Sequence, residues 1–350
     1  MIEEKYQDPE EDQEDVELYE HYKIEVDPGQ TMLRIDKFLM GRIENVSRNK
    51  IQMAATAGNI LVDGKSVKQN YRVKPRDVIT ILMSKPPRIT EIFPEDIPLN
   101  IVYEDDFLLV VDKPAGLVVH PGYGNFTGTM LNGLLFHMKD EMAKNPDKAP
   151  LLAHRIDKDT SGLILVGKDE RTQALLARQF FYHTIKRQYL AMVWGIPKED
   201  EGTITGHIGR SLKDRRVMTV FPDGSYGKHA VTHYSVVEKF GYVSLVECRL
   251  ETGRTHQIRA HLKHIGHPLF SDSTYGGDQI LKGTTFTKYK QFVQNCFKII
   301  PRQALHAQTL GFYHPILEKE LEFFSKLPDD MNELIEKWRG YVSNRNFEEE

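Results

Sequence analysis

Four prolines fall within seventeen residues of this 350-residue chain, in the segment SKPPRITEIFPEDIPLN, residues 84–100. Proline lacks a backbone N–H and has a fixed φ, so this segment is excluded from helix interiors and from central strands. We expect it to be a semi-rigid linker. The chain should therefore fold as a small unit before this segment and a larger unit after it.

The part before the linker has the pattern of two helices followed by a hairpin. RIDKFLMGRI places four apolar residues at helical spacing. In SRNKIQMAATAG, Ser47 suits a helix N-cap and Gly58 suits the position after a helix end. NILVDGKSV then predicts a strand, an Asp-Gly turn and a second strand. We expect residues 32–83 to form one compact domain.

Charge is segregated along the chain, although the net charge is only −4. Residues 1–20 contain ten acidic residues and one lysine, a composition that predicts a disordered tail. Residues 34–88 contain twelve Lys/Arg and four acidic residues, a net of +8. A basic module indicates a polyanionic partner, because Lys/Arg contacts to phosphates release counterions. A solvated basic face is the alternative that charge alone leaves open.

The basic residues of this small domain are spread over both predicted helices and the hairpin, so that they can share one face. The candidates for RNA binding are Arg34, Lys37, Arg48, Lys50, Lys65 and Arg72. The segment from RIDKFL to KPRDVI closely resembles the small RNA-binding domain named after the small-subunit ribosomal protein S-four. The resemblance implies a grip on structured RNA and is silent about chemistry.

Residues 101–330 alternate strand-like and helical segments, which predicts a larger domain of mixed α and β structure. The strand-like runs are FLLVVDKP, GLILVGKD, YLAMVWG and YVSLVECRLE, and the helical ones are ERTQALLARQFFY and THQIRAHLKHIG. Residues 331–350 are expected to form a C-terminal helix and tail.

Several classes of protein are disfavoured by what the sequence lacks. Cys248 and Cys296 form no CxxC pair, which fits a reducing compartment and argues against a disulfide framework. The acidic N-terminus does not resemble a secretory signal, and no apolar stretch approaches the ~20 residues of a membrane span. We therefore expect a cytoplasmic protein without a membrane partner. No Walker loop is present.

Four histidines of one segment raise the question of a metal site. His256, His261, His264 and His267 occur close together, and three-residue spacing on a helix can bring ligands together. However, Gly266 and a following proline should end the helix there, and no accompanying Asp, Glu or Cys ligands are evident. We expect no metal and no cofactor.

One loop, AHRIDKDTSG, places a lone carboxylate directly before an apolar segment. Asp157 in such a loop can simply form a turn or a cap. The protein-kinase pattern is absent, since H-R-I-D has neither a glycine-rich loop nor D-F-G with it. Glycoside hydrolysis ordinarily needs two carboxylates, for which Asp159 is the nearest candidate, but its neighbours suggest an exposed turn.

Five segments in order resemble the pseudouridine synthases of the RluA/RluD type. They are VVDKPAGLVVHPG, HRIDKDTSG, KRQYLAMVWG, LETGRTHQIRAHLKHIGHPLFSDSTYGG and RQALHAQTLGFYHP. Their order and spacing fit from the linker to about residue 330. Two departures are mild: Ile156 stands where leucine is common, and Ser271 stands where glycine is usual.

This resemblance implies an α+β fold, with a mixed, largely antiparallel sheet and the aspartate in a central cleft. Asp157 would be the essential residue, either as nucleophile at the sugar or as base on its neighbouring carbon. Arg254 would pair with Asp157, Tyr189 would stack on the target base, and Arg155 would occupy the space left by a flipped uridine. His154 is expected to be an internal hydrogen-bonding residue rather than a base.

The function implied is conversion of specific uridines to pseudouridine in structured RNA. Large-subunit ribosomal RNA is the expected partner, transfer RNA remains possible, and a monomer is expected. Two rival functions share most of these features. A non-catalytic RNA-binding or ribosome-assembly factor would not need Asp157, and a nucleoside or glycoside hydrolase would release uracil.

Overall fold

A computed structural model of the protein describes residues 19–43, 47–83, 92–122, 125–214 and 217–344. The chain divides into two compact units, Met1–Glu91 and Ile92–Glu350. No helix in these described ranges is long and apolar enough to cross a membrane. The expected acidic tail, residues 1–20, lies almost entirely outside the described residues, as do residues 84–91 of the expected linker.

The first unit contains six strands and two helices among its described residues. In chain order they are β1 (Tyr19–Glu25), β2 (Leu33–Arg34), α1 (Ile35–Met40), α2 (Arg48–Thr56), β3 (Ile60–Val62), β4 (Lys65–Ser66), β5 (Arg72–Val73) and β6 (Val78–Met83). One sheet has the order β1-β6-β3-β4, and β2 pairs with β5. The helices pack their apolar faces on this sheet around buried residues such as Ile35, Leu39 and Ile79.

Local sequence signals account for most of this unit. The Ser47 side chain accepts a hydrogen bond from the backbone N–H of Lys50 at the start of α2, as an N-cap should. Asp63 and Gly64 both have positive φ and connect β3 to β4, so the predicted Asp-Gly turn is confirmed. Strand β1 was not predicted. Its pairing partner β6 lies more than fifty residues away, and such long-range pairing leaves no local signal.

The second unit has eleven strands and six helices among the residues described. The strands are β7 (Asn100–Glu104), β8 (Leu108–Lys113), β9 (Leu151–Leu152), β10 (Ser161–Gly167), β11 (Lys186–Trp194), β12 (Glu201–Arg210), β13 (Met218–Phe221), β14 (Lys228–Lys239), β15 (Val243–Leu250), β16 (Leu305–His314) and β17 (Lys319–Phe324). The helices are α3 (Met130–His137), α4 (Lys139–Lys144), α5 (Glu170–Phe181), α6 (Gln257–His264), α7 (Thr287–Ile299) and α8 (Asp329–Ser343).

The eleven strands form one mixed sheet of order β13-β12-β14-β15-β11-β16-β10-β8-β7, with β9 beside β10 and β17 beside β16. Every pairing is antiparallel except that of β10 with β16, which confirms the predicted largely antiparallel α+β fold. At this parallel pairing Gly162 has φ +111°, and a Cβ there would lie 2.1 Å from the carbonyl oxygen of Ala307. Only glycine permits such a close approach.

Both faces of the central strands are covered, which explains their continuous apolar runs. All seven residues of β10 are buried. In β11, Tyr189, Ala191 and Val193 contribute to one core, while Met192 and Trp194 contribute to the core on the opposite face. Helices α7 and α8 cover that second core. The face carrying Tyr189 is the one on which the cavity described below is built.

Two boundaries differ from the prediction. The second unit begins at Ile92 rather than at residue 101, because residues 92–99 run without helix or strand along α3. There the Asn132 side chain donates to the Phe93 carbonyl at 2.8 Å. At the other end, α8 is part of the core rather than an appendage, since Trp338 is fully buried.

Candidate active site

Asp157 lies in an irregular loop between β9 and β10, at the junction of two adjoining cavities. The larger cavity has a volume of about 570 Å³ and the smaller about 340 Å³. Asp157, Arg155, His256 and Arg259 line both. The Asp157 side chain is 23% exposed, so its carboxylate is accessible from the cavities. The lone aspartate found in the sequence therefore lies in a cleft of a size suited to a small ligand or a single nucleotide.

Two buried cations hold the loop by its backbone. The Lys113 ammonium donates to the carbonyl oxygens of Pro114, Leu117 and Lys158, each at 2.8 Å. The Arg302 guanidinium donates to the Asp159 carbonyl at 3.0 Å. The two residues that follow Asp157 are thus fixed through their peptide groups. This arrangement places the carboxylate without using the side chains at those two positions.

The ion-pair partner of Asp157 is Arg259, not Arg254 as predicted. Nη1 of Arg259 donates to Oδ2 of Asp157 at 2.9 Å. Its Nε and Nη2 donate to both carboxylate oxygens of Asp272, at 2.7 and 2.9 Å. Burial opposes the charge, but the hydrogen bonds to Asp272 and the charges of Asp272 and Asp157 raise the pKa of Arg259 further. The guanidinium is thus a permanent cation beside Asp157.

Arg259 rather than Arg254 pairs with Asp157 because of the residue at which α6 begins. His256 has φ +52° and turns the chain, so that α6 starts at Gln257 and directs Arg259 inward. The Gln257 side chain is fully used: it accepts from Arg254 N–H and the Thr252 hydroxyl, and donates to Val231 and Thr232. Arg254 precedes the helix, and its Nε donates to the His229 carbonyl at 3.0 Å. Arg254 still lines the larger cavity, but away from the ion pair.

A sequence signal for Arg259 was present and was missed. Every residue from Gln257 to Leu262 is buried, and the apolar spacing of QIRAHL already indicates a helix that packs into a core. A buried arginine requires a carboxylate partner. Asp272, which was likewise not singled out, supplies it with 1% side-chain exposure.

Tyr189 and His154 both lie on the wall of the larger cavity. Tyr189 is buried in β11, and burial raises the pKa of its hydroxyl, so it stays protonated. His154 accepts a hydrogen bond at Nε2 from the backbone N–H of Leu165, 2.8 Å away. Burial, with a contribution from the Arg187 charge, lowers the pKa of His154 to about 3. His154 is therefore a neutral acceptor inside the fold, in agreement with the sequence interpretation.

Arg155 is exposed where the two cavities meet. Within the described part of the chain it makes no hydrogen bond and no ion pair, in contrast to Arg259, which lines the same cavities. Its guanidinium is thus available to a ligand that enters beside Asp157.

Three of the four histidines that raised the question of a metal contact different groups. A hydrogen bond joins Nδ1 of His256 to the Tyr275 hydroxyl, and Nε2 of His256 lies 3.9 Å from Oδ2 of Asp157. His261 contacts Thr232 in the core, whereas His267 contacts the Trp194 carbonyl. The described residues contain no group of three or more His, Cys, Asp or Glu that could hold a metal ion.

In the first unit, the structure brings three of the six basic candidates together. Arg34 and Arg72 are directly opposite each other in the β2–β5 pair. Arg34 and Arg48 both donate to the buried carboxylate of Asp36, at 3.0 and 2.9 Å. Lys37, Lys50 and Lys65 are exposed, and no ion pair joins them to Asp36. Asp36 thus orients two arginines while neutralising only one positive charge.

Comparisons with known proteins agree with this architecture. A family model described as RNA pseudouridylate synthase matches residues 107–264, and an S4 domain model matches residues 33–79. An uncharacterized RNA pseudouridine synthase of Chlorobaculum parvum is 49% identical over 324 residues, which is 91% of this chain and 98% of that protein. The ribosomal large subunit pseudouridine synthase D of Zymomonas mobilis is 40% identical, covering 89% of this chain and 95% of that protein.

A solved structure shares the fold of more than half of the chain. The human RNA pseudouridylate synthase domain containing 4 superposes with a TM-score of 0.54 and 26% identity, over 69% of this chain and 93% of that one. The sheet, the cavity and these matches define an enzyme that acts on RNA. The chain belongs to the RNA pseudouridine synthase family, whose members are isomerases, and it carries an S4 domain.

Proposed function

We propose that this protein converts specific uridines of large-subunit ribosomal RNA to pseudouridine, with Asp157 as the essential residue. The substrate rests on relatives named ribosomal large subunit pseudouridine synthase D, which match nearly the full length of the chain. The role of Asp157 rests on one observation above all. Its carboxylate is paired with the permanently charged Arg259 inside a cavity that also contains Tyr189.

The reaction breaks the bond between uracil N1 and ribose C1′ and forms a bond from uracil C5 to C1′. The proton on C5 is released, and N1 gains a proton, so the reaction is an isomerisation without redox change. Asp157 acts either as nucleophile at C1′ or as base at the adjacent carbon. Both routes require an ionised carboxylate, and Nη1 of Arg259 provides a cationic partner for it at 2.9 Å.

A uridine within folded RNA must leave its stack before C1′ is accessible. Arg155 supports such flipping, because it is exposed beside Asp157 and is not committed to another described group. As the uridine enters the cavity, the Arg155 side chain is in a position to fill the vacated space. Tyr189 then offers its ring to the base, since it is the aromatic residue of β11 on the cavity wall.

The first unit supplies affinity for RNA. Arg34, Arg48 and Arg72 make a compact cationic group around Asp36 and across the β2–β5 pair. Phosphate contacts of this kind are sensitive to salt. Binding of ribosomal RNA should therefore weaken steeply as salt is raised, and deletion of residues 32–83 should reduce that dependence.

The decisive experiment compares wild type with Asp157→Asn on unmodified ribosomal RNA and maps pseudouridine by position. Conversion at discrete uridines by wild type alone supports the proposal. Conversion of uridines in transfer RNA instead would support the proposed reaction but show that the proposed substrate is wrong. Release of free uracil would indicate hydrolysis, and equal cellular function of Asp157→Asn and wild type would indicate a binding factor.

A further inference from the structure

A second arginine is buried on the wall of the Asp157 cavity and has no anionic partner among the residues that the structure describes. Arg187 lies in β11, two residues before Tyr189, and is 8% exposed. Its Nη2 donates to the backbone carbonyl of Glu251 at 3.2 Å. Its Nε has no hydrogen-bond partner among the described residues, and its guanidinium lies 5.3 Å from the ring centre of Phe180. This cation is therefore satisfied at only one of its nitrogen atoms.

The contrast with Arg259 shows how unusual this is within the same cavity. Arg259 is equally buried, but it is neutralised by Asp157 and Asp272. Burial lowers the pKa of Arg187, yet a guanidinium remains protonated in proteins. A buried charge without a counter-charge is strongly unfavourable, as is a buried ion pair that has lost one partner. Such a cost is offset if the counter-charge is brought by a ligand.

Gly253 keeps the free side of this guanidinium open. A Cβ at Gly253 would lie 2.9 Å from Nη1 of Arg187. The Gly253 backbone is outside the left-handed region, so its conformation alone does not require glycine. A side chain at this position would displace Nη1, and both residues line the cavity.

We propose that Arg187, with the space kept by Gly253, forms a subsite for an anionic oxygen of the RNA substrate. This inference rests on the proposed function. Two groups can supply that oxygen. One is a backbone phosphate at the target nucleotide. The other is the uracil itself, because breaking the bond to C1′ leaves the electron pair on uracil as negative charge shared by N1, O2 and O4.

The two sources differ in when the charge appears. A phosphate is charged before reaction, so Arg187 would contribute to RNA affinity. Uracil becomes anionic only as its bond to ribose breaks, so Arg187 would bind the transition state better than the ground state and raise the rate of conversion. The single-turnover rate of conversion and the affinity for unmodified RNA therefore distinguish the two sources.

The test uses Arg187→Ala, with Lys186→Ala as matched control, because Lys186 is the exposed neighbour on the same strand. We expect Arg187→Ala to lose about 10²-fold in single-turnover conversion, as for removal of one stabilising donor. Millimolar guanidinium should restore part of this loss, whereas urea, its neutral analogue, and sodium chloride should not. RNA affinity, measured in the Asp157→Asn background, falls if the oxygen is a phosphate and is unchanged if it is uracil.

A second variant and a second readout guard against misfolding and against failure of the proposed function. Gly253→Ala should reproduce the loss by displacing Nη1, and should add nothing to Arg187→Ala. Without RNA, inorganic phosphate should raise the melting temperature of wild type and Lys186→Ala more than that of Arg187→Ala. If wild type converts no uridine, the proposed function fails and this phosphate shift alone decides. The subsite is refuted if Arg187→Ala matches Lys186→Ala in both rate and phosphate shift.

Discussion

Arg259 donates a 2.9 Å hydrogen bond to the carboxylate of Asp157, a residue 102 positions earlier in the chain. Its Nε and Nη2 donate to the two carboxylate oxygens of Asp272, which restrains rotation of the guanidinium. Asp157 is thus paired with a residue that is itself held by a second, more deeply buried carboxylate.

Replacing Arg259 by lysine should be far more damaging than the same change at Arg254. A lysine cannot span two carboxylates, because it lacks the planar fork of donors. We expect Arg259→Lys to reduce single-turnover conversion by at least about 10²-fold. Arg254→Lys leaves the ion pair intact and should cost no more than about 10-fold. Equal losses in the two variants would contradict the assignment of the ion pair.

Asp272→Asn should destabilise the second unit. It leaves Nε and Nη2 of Arg259 without a charged partner in a buried position. The expected loss is about 3 kcal/mol in the free energy of unfolding, measured by urea denaturation. Asp278→Asn, at an exposed position six residues later, is the control and should change stability little.

Ser271→Gly should stabilise the protein. Ser271 has φ +61°, a conformation that costs an L-residue roughly 1 kcal/mol, and its buried hydroxyl lacks a partner in the described structure. Glycine removes both penalties. We expect this gain to exceed the cost that glycine adds by increasing the conformational entropy of the unfolded chain. A melting temperature above that of wild type is expected. Ser273→Gly, outside the positive-φ region, should not raise it.

His154 should make the protein sensitive to acid. Its pKa is lowered from 6.5 to about 3, so below pH 6.5 the unfolded chain takes up a proton that the folded chain does not. Stability from this group is complete above pH 6.5 and falls by at most about 1.4 kcal/mol per pH unit as pH drops toward 3. His154→Gln keeps an acceptor for Leu165 and should flatten that slope. His264→Gln, at an exposed position, should leave it unchanged.

Asp36→Asn should unfold the first unit selectively. The hydrogen bonds from Arg34, Gln52 and Arg48 outweigh burial and hold the pKa of Asp36 well below its usual range. Removing its charge leaves the arginines facing each other. Hydrogen exchange of peptides from residues 33–83 should accelerate, while those from 100–343 remain protected. Asp63→Asn, which preserves the exposed turn, should accelerate neither set.

Much of the fold was accessible from local patterns. The apolar runs of β8, β10, β11 and β15, the N-cap at Ser47 and the Asp-Gly turn all produced the elements predicted, because each depends on nearby residues. The position of Asp157 in a cleft agreed with the motif around it. What local patterns could not give was pairing over long distances, such as β1 with β6.

The exchange of Arg254 for Arg259 has the same origin. Both arginines occur within GRTHQIR, and composition cannot distinguish them. The distinction depends on the left-handed turn at His256 and on the bonds of Gln257, which decide the residue at which α6 begins. Arg187 was not predicted as a site residue. Its environment, with the Glu251 carbonyl and the Phe180 ring but no carboxylate among the described residues, is visible only in the folded structure.

The loop that carries Asp157 is anchored by Lys113 and Arg302 through the carbonyl oxygens of Lys158 and Asp159. A carbonyl group is the same in every residue. We therefore expect Asp157 to keep its position when the Lys158 side chain is replaced, whereas the Asp159 side chain also acts on Lys113 through its charge. The geometry of the loop is thus determined in part by Lys113 and Arg302, which are distant from it in the chain.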